Sequence, residues 1–252
     1  MSKIPIALQL YSVRDDAAKD LASVLDTVAK AGYDGVEFAG YYGHDAPTLK
    51  KMLDDRGLKC AGAHVGLDTL IGDEFEKSVE FHKILDNPYL IVPGLAESRR
   101  NSAAALKVTV SIFNDVAARL KPHGQFTGYH NHAIEFVPMG DNGELMWDLF
   151  FGETSPDVIM QFDTGNALHG GADALPYLER YPGRAVTVHL KEYSATNDKA
   201  LIGEGDVPFS RIFDVCESTG GTKWYIVEQE SYAYPPLECA ERCIKILRDW
   251  GK

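Results

Sequence analysis

Two imidazoles and a carboxylate stand close together in Gly128-Tyr129-His130-Asn131-His132-Ala133-Ile134-Glu135-Phe136. The run Gln125-Phe126-Thr127 ahead of them reads as the start of a strand, so these groups fall where a strand gives way to a loop. Buried His and Glu are costly unless paired or bound to a metal. A lone histidine would be read first as a core group satisfied by a carbonyl. Two of them with a Glu at one strand end make ligation an equal alternative. Three further positions shift the balance. Asp163 follows Val158-Ile159-Met160-Gln161-Phe162, His189 follows Ala185-Val186-Thr187-Val188, and Glu228 follows Trp224-Tyr225-Ile226-Val227. Each is a metal-capable side chain at the C-terminal end of an apolar strand. Glu135, Asp163, His189 and Glu228 together offer three carboxylates and one imidazole. That set suits one divalent metal ion (Mn2+, Mg2+, Co2+ or Zn2+), with no thiolate to select a softer metal. Carboxylates crowded this way repel one another without a cation. The competing account is a set of internal salt bridges, for which Lys191 is the main basic partner.

The elements that must position these groups alternate in type. Apolar, β-branched runs begin near Ile6, Gly35, Lys59, Tyr89, Gln125, Val158, Ala185 and Lys223. They lie about thirty residues apart, the length of a strand–helix unit. Helical stripes lie between them. Leu21, Val24, Leu25 and Val28 mark the first, closed by Gly32, and Leu49, Met52 and Leu53 the second. Phe75, Val79, Ile84 and Leu85 mark the third. Val108, Ile112, Val116 and Leu120 mark the longest, which Pro122 and Gly124 terminate. Phe209, Ile212, Phe213 and Cys216 form the seventh stripe, and Cys239, Cys243, Ile246 and Leu247 the eighth. Eight strands alternating with helices specify a (β/α)8 barrel, expected as a single domain over residues 1–252. A doubly wound open sheet competes less well, because no Gly-rich fingerprint follows Ile6–Ser12.

In such a barrel, chemistry belongs at the C-terminal strand ends. In chain order those ends present Gln9 and Tyr11, then Glu37, then His64, then Pro93 and Gly94. They continue with His130, His132 and Glu135; Asp163 and Asn166; His189, Lys191 and Glu192; and Glu228 and Glu230. Tyr11, Tyr41, Tyr42, Trp147, Tyr193, Tyr232 and Tyr234 are expected around the mouth, to stack on a ligand or to serve contacts in a homo-oligomer.

Composition limits the partners. The 252 residues carry 25 Lys and Arg against 37 Asp and Glu, a net charge of −12. That opposes the phosphate contacts on which nucleic-acid binding depends, and it disfavours anionic membranes. No apolar run is long enough to span a bilayer. Met1-Ser2-Lys3-Ile4-Pro5 enters a strand at once and lacks the apolar core of a signal peptide, so a cytoplasmic location is expected. Four cysteines without a CxxC pair read as small buried hydrophobes.

The motifs Tyr129-His130-Asn131-His132 with Glu135-Phe136, Phe162-Asp163-Thr164-Gly165-Asn166, His189-Leu190-Lys191-Glu192, Gly203-Glu204-Gly205 and Val227-Glu228-Gln229 carry a resemblance over nearly the whole chain. It resembles the sugar phosphate isomerase/epimerase family, the xylose-isomerase-like TIM barrels grouped with AP endonuclease family 2. The resemblance implies one divalent metal on Glu135, Asp163, His189 and Glu228, with His130 or His132 as alternatives for the strand-five ligand. It also implies that His64 reaches the substrate pocket. The expected activity is sugar or keto-sugar isomerisation or epimerisation through a metal-stabilised enediolate. Glu135 and Glu228 would remove and return the proton, while Lys191, His130 and His132 would donate hydrogen bonds to developing charge. The same enediolate can expel a group at the β-carbon, so a dehydratase, lyase or keto-glycoside-cleaving enzyme is the alternative. A phosphodiesterase like the AP endonucleases needs more ligands and a basic surface, and a non-catalytic sugar-binding barrel needs no proton transfer.

Overall fold

Short strands that are apolar on both faces need cover on both, which a ring of strands inside a ring of helices supplies. The computed structural model describes residues 3–139 and 143–252 and shows that arrangement. The strands are β1 (Ile6–Gln9), β2 (Gly35–Ala39), β3 (Lys59–His64), β4 (Tyr89–Val92), β5 (Phe126–His130), β6 (Ile159–Asp163), β7 (Thr187–Leu190) and β8 (Trp224–Val227). All neighbours are parallel, and β1 pairs with both β2 and β8, which closes the barrel. The expected (β/α)8 barrel is therefore present. A two-stranded antiparallel hairpin, Pro138–Met139 with Glu144–Leu145, follows β5 outside the ring.

The helices of the outer ring are α1 (Arg14–Ala31), α2 (Ala46–Asp54), α3 (Phe75–Ile84), α4 (Ala103–Leu120), α5 (Met146–Glu153), α6 (Ala174–Arg180), α7 (Phe209–Val215) and α8 (Pro236–Asp249). Leu21, Val24, Leu25 and Val28 are buried as their spacing predicts, and α1 closes at Gly32 with φ 94°. The stripe expected on α4 holds at Val116 and Leu120, which are buried, and fails at Val108. Val108 is 63% exposed, whereas Leu106, Val110, Phe113, Ala117 and Leu120 are buried. A row of strict four-residue steps drifts about 40° around a helix at each step, so it cannot stay on one face. Alternating steps of four and three keep the core side inward. Ile84, expected on the buried side of α3, is likewise exposed. Trp147, expected at the mouth, is fully buried on α5 among Phe136, Phe151 and Phe162. Among the described residues, no helix is long and apolar enough to cross a membrane.

Inside the ring, Ala7, Ala61 and Ile226 form a small apolar cluster with Trp224 packed against it. Side chains alternate along a strand, so the next inward positions on β1 and at the end of β8 are Gln9 and Glu228. With them the barrel interior turns from apolar to polar.

Candidate metal centre

The last inward position on four consecutive strands carries a ligand-type group. On β5, Tyr129 faces the helix layer, packed against Phe113 and Phe150, so Gly128 and His130 face inward. Asp163 ends β6 directly beside His189 of β7, and Glu228 lies just past β8. The donor atoms of His130, Asp163, His189 and Glu228 lie within 4.8 Å of one another, and all four residues are buried.

The motif residues between these groups hold the strand ends in register. The Asn131 amide donates to the Asp163 carbonyl (3.0 Å) and accepts from its N–H (2.8 Å), tying β5 to β6. Asn166 returns a bond to the Asn131 carbonyl. The Thr164 hydroxyl donates toward the His189 and Lys191 carbonyls. A Cβ on Gly165 would meet the Glu192 and Lys191 carbonyl oxygens at 2.7 and 2.8 Å, so only glycine lets the turn after β6 lie this close to the chain leaving β7. The buried Glu192 accepts from the backbone N–H groups of Tyr193, Gly203 and Val207 and folds the loop after β7 around itself. The motif Gly203-Glu204-Gly205 thus lies in a loop wrapped around a carboxylate.

A divalent cation fits this cluster because some of its buried polar atoms lack partners. One Asp163 oxygen caps the short helix Thr164–His169 through the Asn166 N–H (2.6 Å), while Oδ2 has no hydrogen bond. His130 Nδ1 is likewise buried and unsatisfied. Such atoms are expensive inside a protein, and an ion would satisfy both. The electrostatics show the same stress. Burial, with the charge on Glu228, pushes Asp163 up to about 7 against the pull of Lys191 and His189. Burial and the neighbouring His189 and His64 hold His130 well below the usual histidine range, so it presents a neutral imidazole. His189 lies between carboxylates, with Nδ1 2.6 Å from Glu228 and Nε2 2.7 Å from Glu37. Burial opposes its charge, but those two acids raise it to about 10. For Glu228, burial favours the neutral form, yet Lys191 and His189 outweigh it and hold the carboxyl well below its ordinary range.

The expected site residues divide. His64 joins the cluster from β3, stacked on His189 at 5.4 Å and 4.9 Å from the His130 ring. Lys191 reaches it from beyond β7, with Nζ 3.6 Å from Glu228 and paired with Glu230. Burial disfavours that ammonium, but Glu228, Asp163 and Glu230 prevail and raise its pKa above the lysine value. His132 is exposed, its ring 5.1 Å from His130, and belongs to neither ligand group among the described residues. Glu135 is a correction. Its carboxylate accepts from the Tyr129 hydroxyl (2.6 Å) and the His132 N–H (2.7 Å). The 3-10 turn Ile134–Phe136 carries it back over the outward face of β5, where Tyr129 points, and His130 supplies the strand-five donor instead.

Glu37, named among the strand-end groups, and Gln161, which was not, stand behind the cluster. Glu37 is fully buried against His189, and Gln161 is buried between Glu37 and His64. Gln161 was hidden in an apolar run, and its only signal was a polar side chain two residues before Asp163. Beside Lys191 a recess of about 270 Å3 opens, lined in part by Asn166, His169, Tyr193, Asn197 and Glu230.

The sequence pattern of the xylose isomerase-like TIM barrel family matches residues 25–250. The chain belongs to that family. An inosose dehydratase from Erwinia tasmaniensis is 27% identical over 89% of this chain and 88% of its own length. A sugar phosphate isomerase/epimerase structure from Parabacteroides distasonis is 26% identical with a TM-score of 0.85, covering 98% of this chain and 97% of its own. The IOLI protein, solved with a zinc atom bound, shares the fold at 14% identity, with a TM-score of 0.75 over 97% of each chain. Within the xylose isomerase-like barrels, this chain thus combines a His/Asp/His/Glu donor group with a lysine on one flank and a histidine on the other.

Proposed function

We propose that the chain is a divalent-metal-dependent lyase that removes water from a keto sugar or keto-cyclitol. The observation that carries elimination over isomerisation is the inosose dehydratase relative, matched over most of both chains. His130, Asp163, His189 and Glu228 would hold the ion, as their unsatisfied buried donors favour. When bound, such an ion supplies Lewis-acid polarisation of a substrate carbonyl, which acidifies the adjacent C–H.

The protein's own groups divide the remaining work. His64 and Lys191 extend from β3 and β7, on opposite sides of an eight-stranded ring, so a substrate at the cluster lies between them. Burial holds His64 below the usual histidine range despite Glu37, which keeps its imidazole neutral and able to accept the C–H proton. Lys191 stays charged and gives a proton to the departing hydroxyl. One C–H and one C–O bond break, one C=C bond forms, and water leaves. Glu228 is assigned to ligation rather than to the base role, because a carboxylate held so strongly ionised is a weak base. Glu135, turned to the outer face of β5, has no part in the chemistry. The polar recess beside Lys191 takes hydroxyl groups of the substrate or leaving group.

Isomerisation or epimerisation is the second reading, favoured by the name of the Parabacteroides structure. Incubation with inososes and a panel of keto sugars in D2O with Mn2+, followed by NMR, separates the two. Loss of water with a new C=C bond is expected. Deuterated epimers without elimination would replace the lyase with an epimerase.

A further inference from the structure

We infer that Glu37 is a positioning residue that holds the Nε2 proton of both His189 and His64, the second through a relay across Gln161. The inference rests on the proposed function only for what the two histidines then do; the proton positions follow from hydrogen bonding alone.

Glu37 is fully buried on β2, and its position depends on the bulge between Val36 and Glu37 that sets it opposite Gly62. A Cβ on Gly62 would fall 2.5 Å from Glu37 Oε1, so a glycine leaves the space the carboxylate fills. Gln9 Oε1 accepts from the Tyr11 N–H at 3.0 Å, so its Nε2 is the end that meets Glu37, and donors converge on both carboxylate oxygens. An ionised carboxylate can only accept, so each close neighbour must donate. On Oε2, Gln9 Nε2 donates at 2.7 Å and His189 Nε2 at 2.7 Å. On Oε1, Gln161 Nε2 donates at 2.8 Å, and His64 Nε2 lies 3.3 Å from Oε2 but makes its hydrogen bond to Gln161.

These donors settle the remaining polarity. Gln161 Nε2 sends its second hydrogen to the Thr187 hydroxyl at 3.0 Å, so Gln161 Oε1 is the end that faces His64 Nε2 at 2.7 Å. An amide oxygen only accepts, and His64 must therefore carry its proton on Nε2. That leaves Nδ1 of His64 with a free lone pair. For His189 the same logic puts a proton on Nε2, while Nδ1 donates to Glu228 without metal and is the atom, beside Asp163, that a cation would take by displacing its proton. A carboxylate behind a ligating histidine both orients the ring and makes it a better ligand. One buried acid thus prepares a metal ligand and a proton acceptor on strands from opposite sides of the barrel.

The test begins with the unsubstituted protein without metal. 15N–1H NMR of its histidine side chains should show His64 protonated on Nε2 with Nδ1 bare. A His64 proton on Nδ1 overturns the relay, whether or not the protein proves to be a lyase. Two variants then separate the branches. Glu37→Gln should weaken Mn2+ or Zn2+ binding by roughly 10- to 100-fold in a chelator competition and blur the His64 tautomer. Gln161→Met should lose only the His64 preference, with metal affinity within about threefold of the parent, since the Glu37–His189 pair is retained. A general weakening of the barrel would not produce that split. If Glu37→Gln binds metal like the parent and keeps the Nε2–H form of His64, Glu37 has no positioning role. Elimination absent in every assay with the proton positions as stated would refute the proposed reaction and leave this inference standing.

Discussion

His130 and Glu135 leave the end of β5 on opposite sides, and their surroundings differ in kind. On the outer side the Glu135 carboxylate is buried and satisfied, bonded to the Tyr129 hydroxyl and the His132 N–H. On the inner side His130 Nδ1 and Asp163 Oδ2 are equally buried and have no partner. A buried polar group with its bonds complete stabilises the fold, whereas one left incomplete costs stability and needs another reason to be there. By that criterion the outer face is architecture and the inner face is the candidate binding site.

The largest expected effect tests this contrast directly. Asp163→Ala should lower metal affinity by more than about 100-fold, since it removes a donor whose supporting shell alone is worth 10- to 100-fold. Glu135→Ala should leave affinity within about threefold but lower stability by roughly 1–3 kcal/mol, because the Tyr129 hydroxyl is left buried without its acceptor. Titration calorimetry with Mn2+ and denaturant unfolding read the two quantities. Equal losses of affinity in both variants would break the distinction between the faces.

A second expectation concerns Lys191, which lies on the inner face but holds no metal. Lys191→Met should reduce kcat by ~10²–10⁴-fold at saturating metal, the usual contribution of a proton-transfer group. Metal affinity should change little, because the ligands are untouched. A parallel fall in affinity would make Lys191 part of the ligand field instead of the acid.

The barrel and the mouth were legible in the sequence because they depend on repetition. Strand ends recur about every thirty residues, and each of the last four offers a ligand-type residue. The strand-five ligand was legible only through parity. Gly128-x-His130, Gln161-x-Asp163, Thr187-x-His189 and Ile226-x-Glu228 place an inward residue two before each donor, and Glu135 stands five residues past the end of β5. Loop geometry decides where such a residue turns, and composition does not encode it. Glu37 was legible as a strand-end carboxylate, but its partnership with Gln161 was not. Their roles exist only across the barrel, between β2, β3, β6 and β7, and no local pattern in one strand announces such a partnership.

A satisfied histidine elsewhere sharpens the contrast. His82 of α3 is buried like His130, but both its nitrogens are engaged, with the Tyr41 hydroxyl (3.1 Å) and the Asn87 amide (2.9 Å). Burial lowers its pKa to about 4. The imidazole is neutral in the fold and protonates near 6.5 in the unfolded chain. Its contribution is therefore full above about pH 6.5 and is lost as pH falls toward 4, with about 3 kcal/mol at stake. Unfolding free energies between pH 7 and pH 4 should fall less steeply in His82→Gln than in the parent. Identical slopes would mean that His82 is charged in the folded protein.

The smallest expected effect lies on α4, where spacing alone misplaced Val108. Val108 is exposed and Leu106 buried, two residues apart on one helix. Two residues span about 200° of turn, so the pair faces opposite ways. Val108→Gln should change stability by less than about 0.5 kcal/mol, as surface substitutions do, and Gln has the better helix propensity. Leu106→Ala opens a gap in the layer between α4 and the barrel and should cost about 2–5 kcal/mol. Urea unfolding of the two variants beside the parent measures both. A cost above about 1 kcal/mol at Val108 would show that its face is covered in solution, and light scattering would then show whether a second copy of the chain provides that cover.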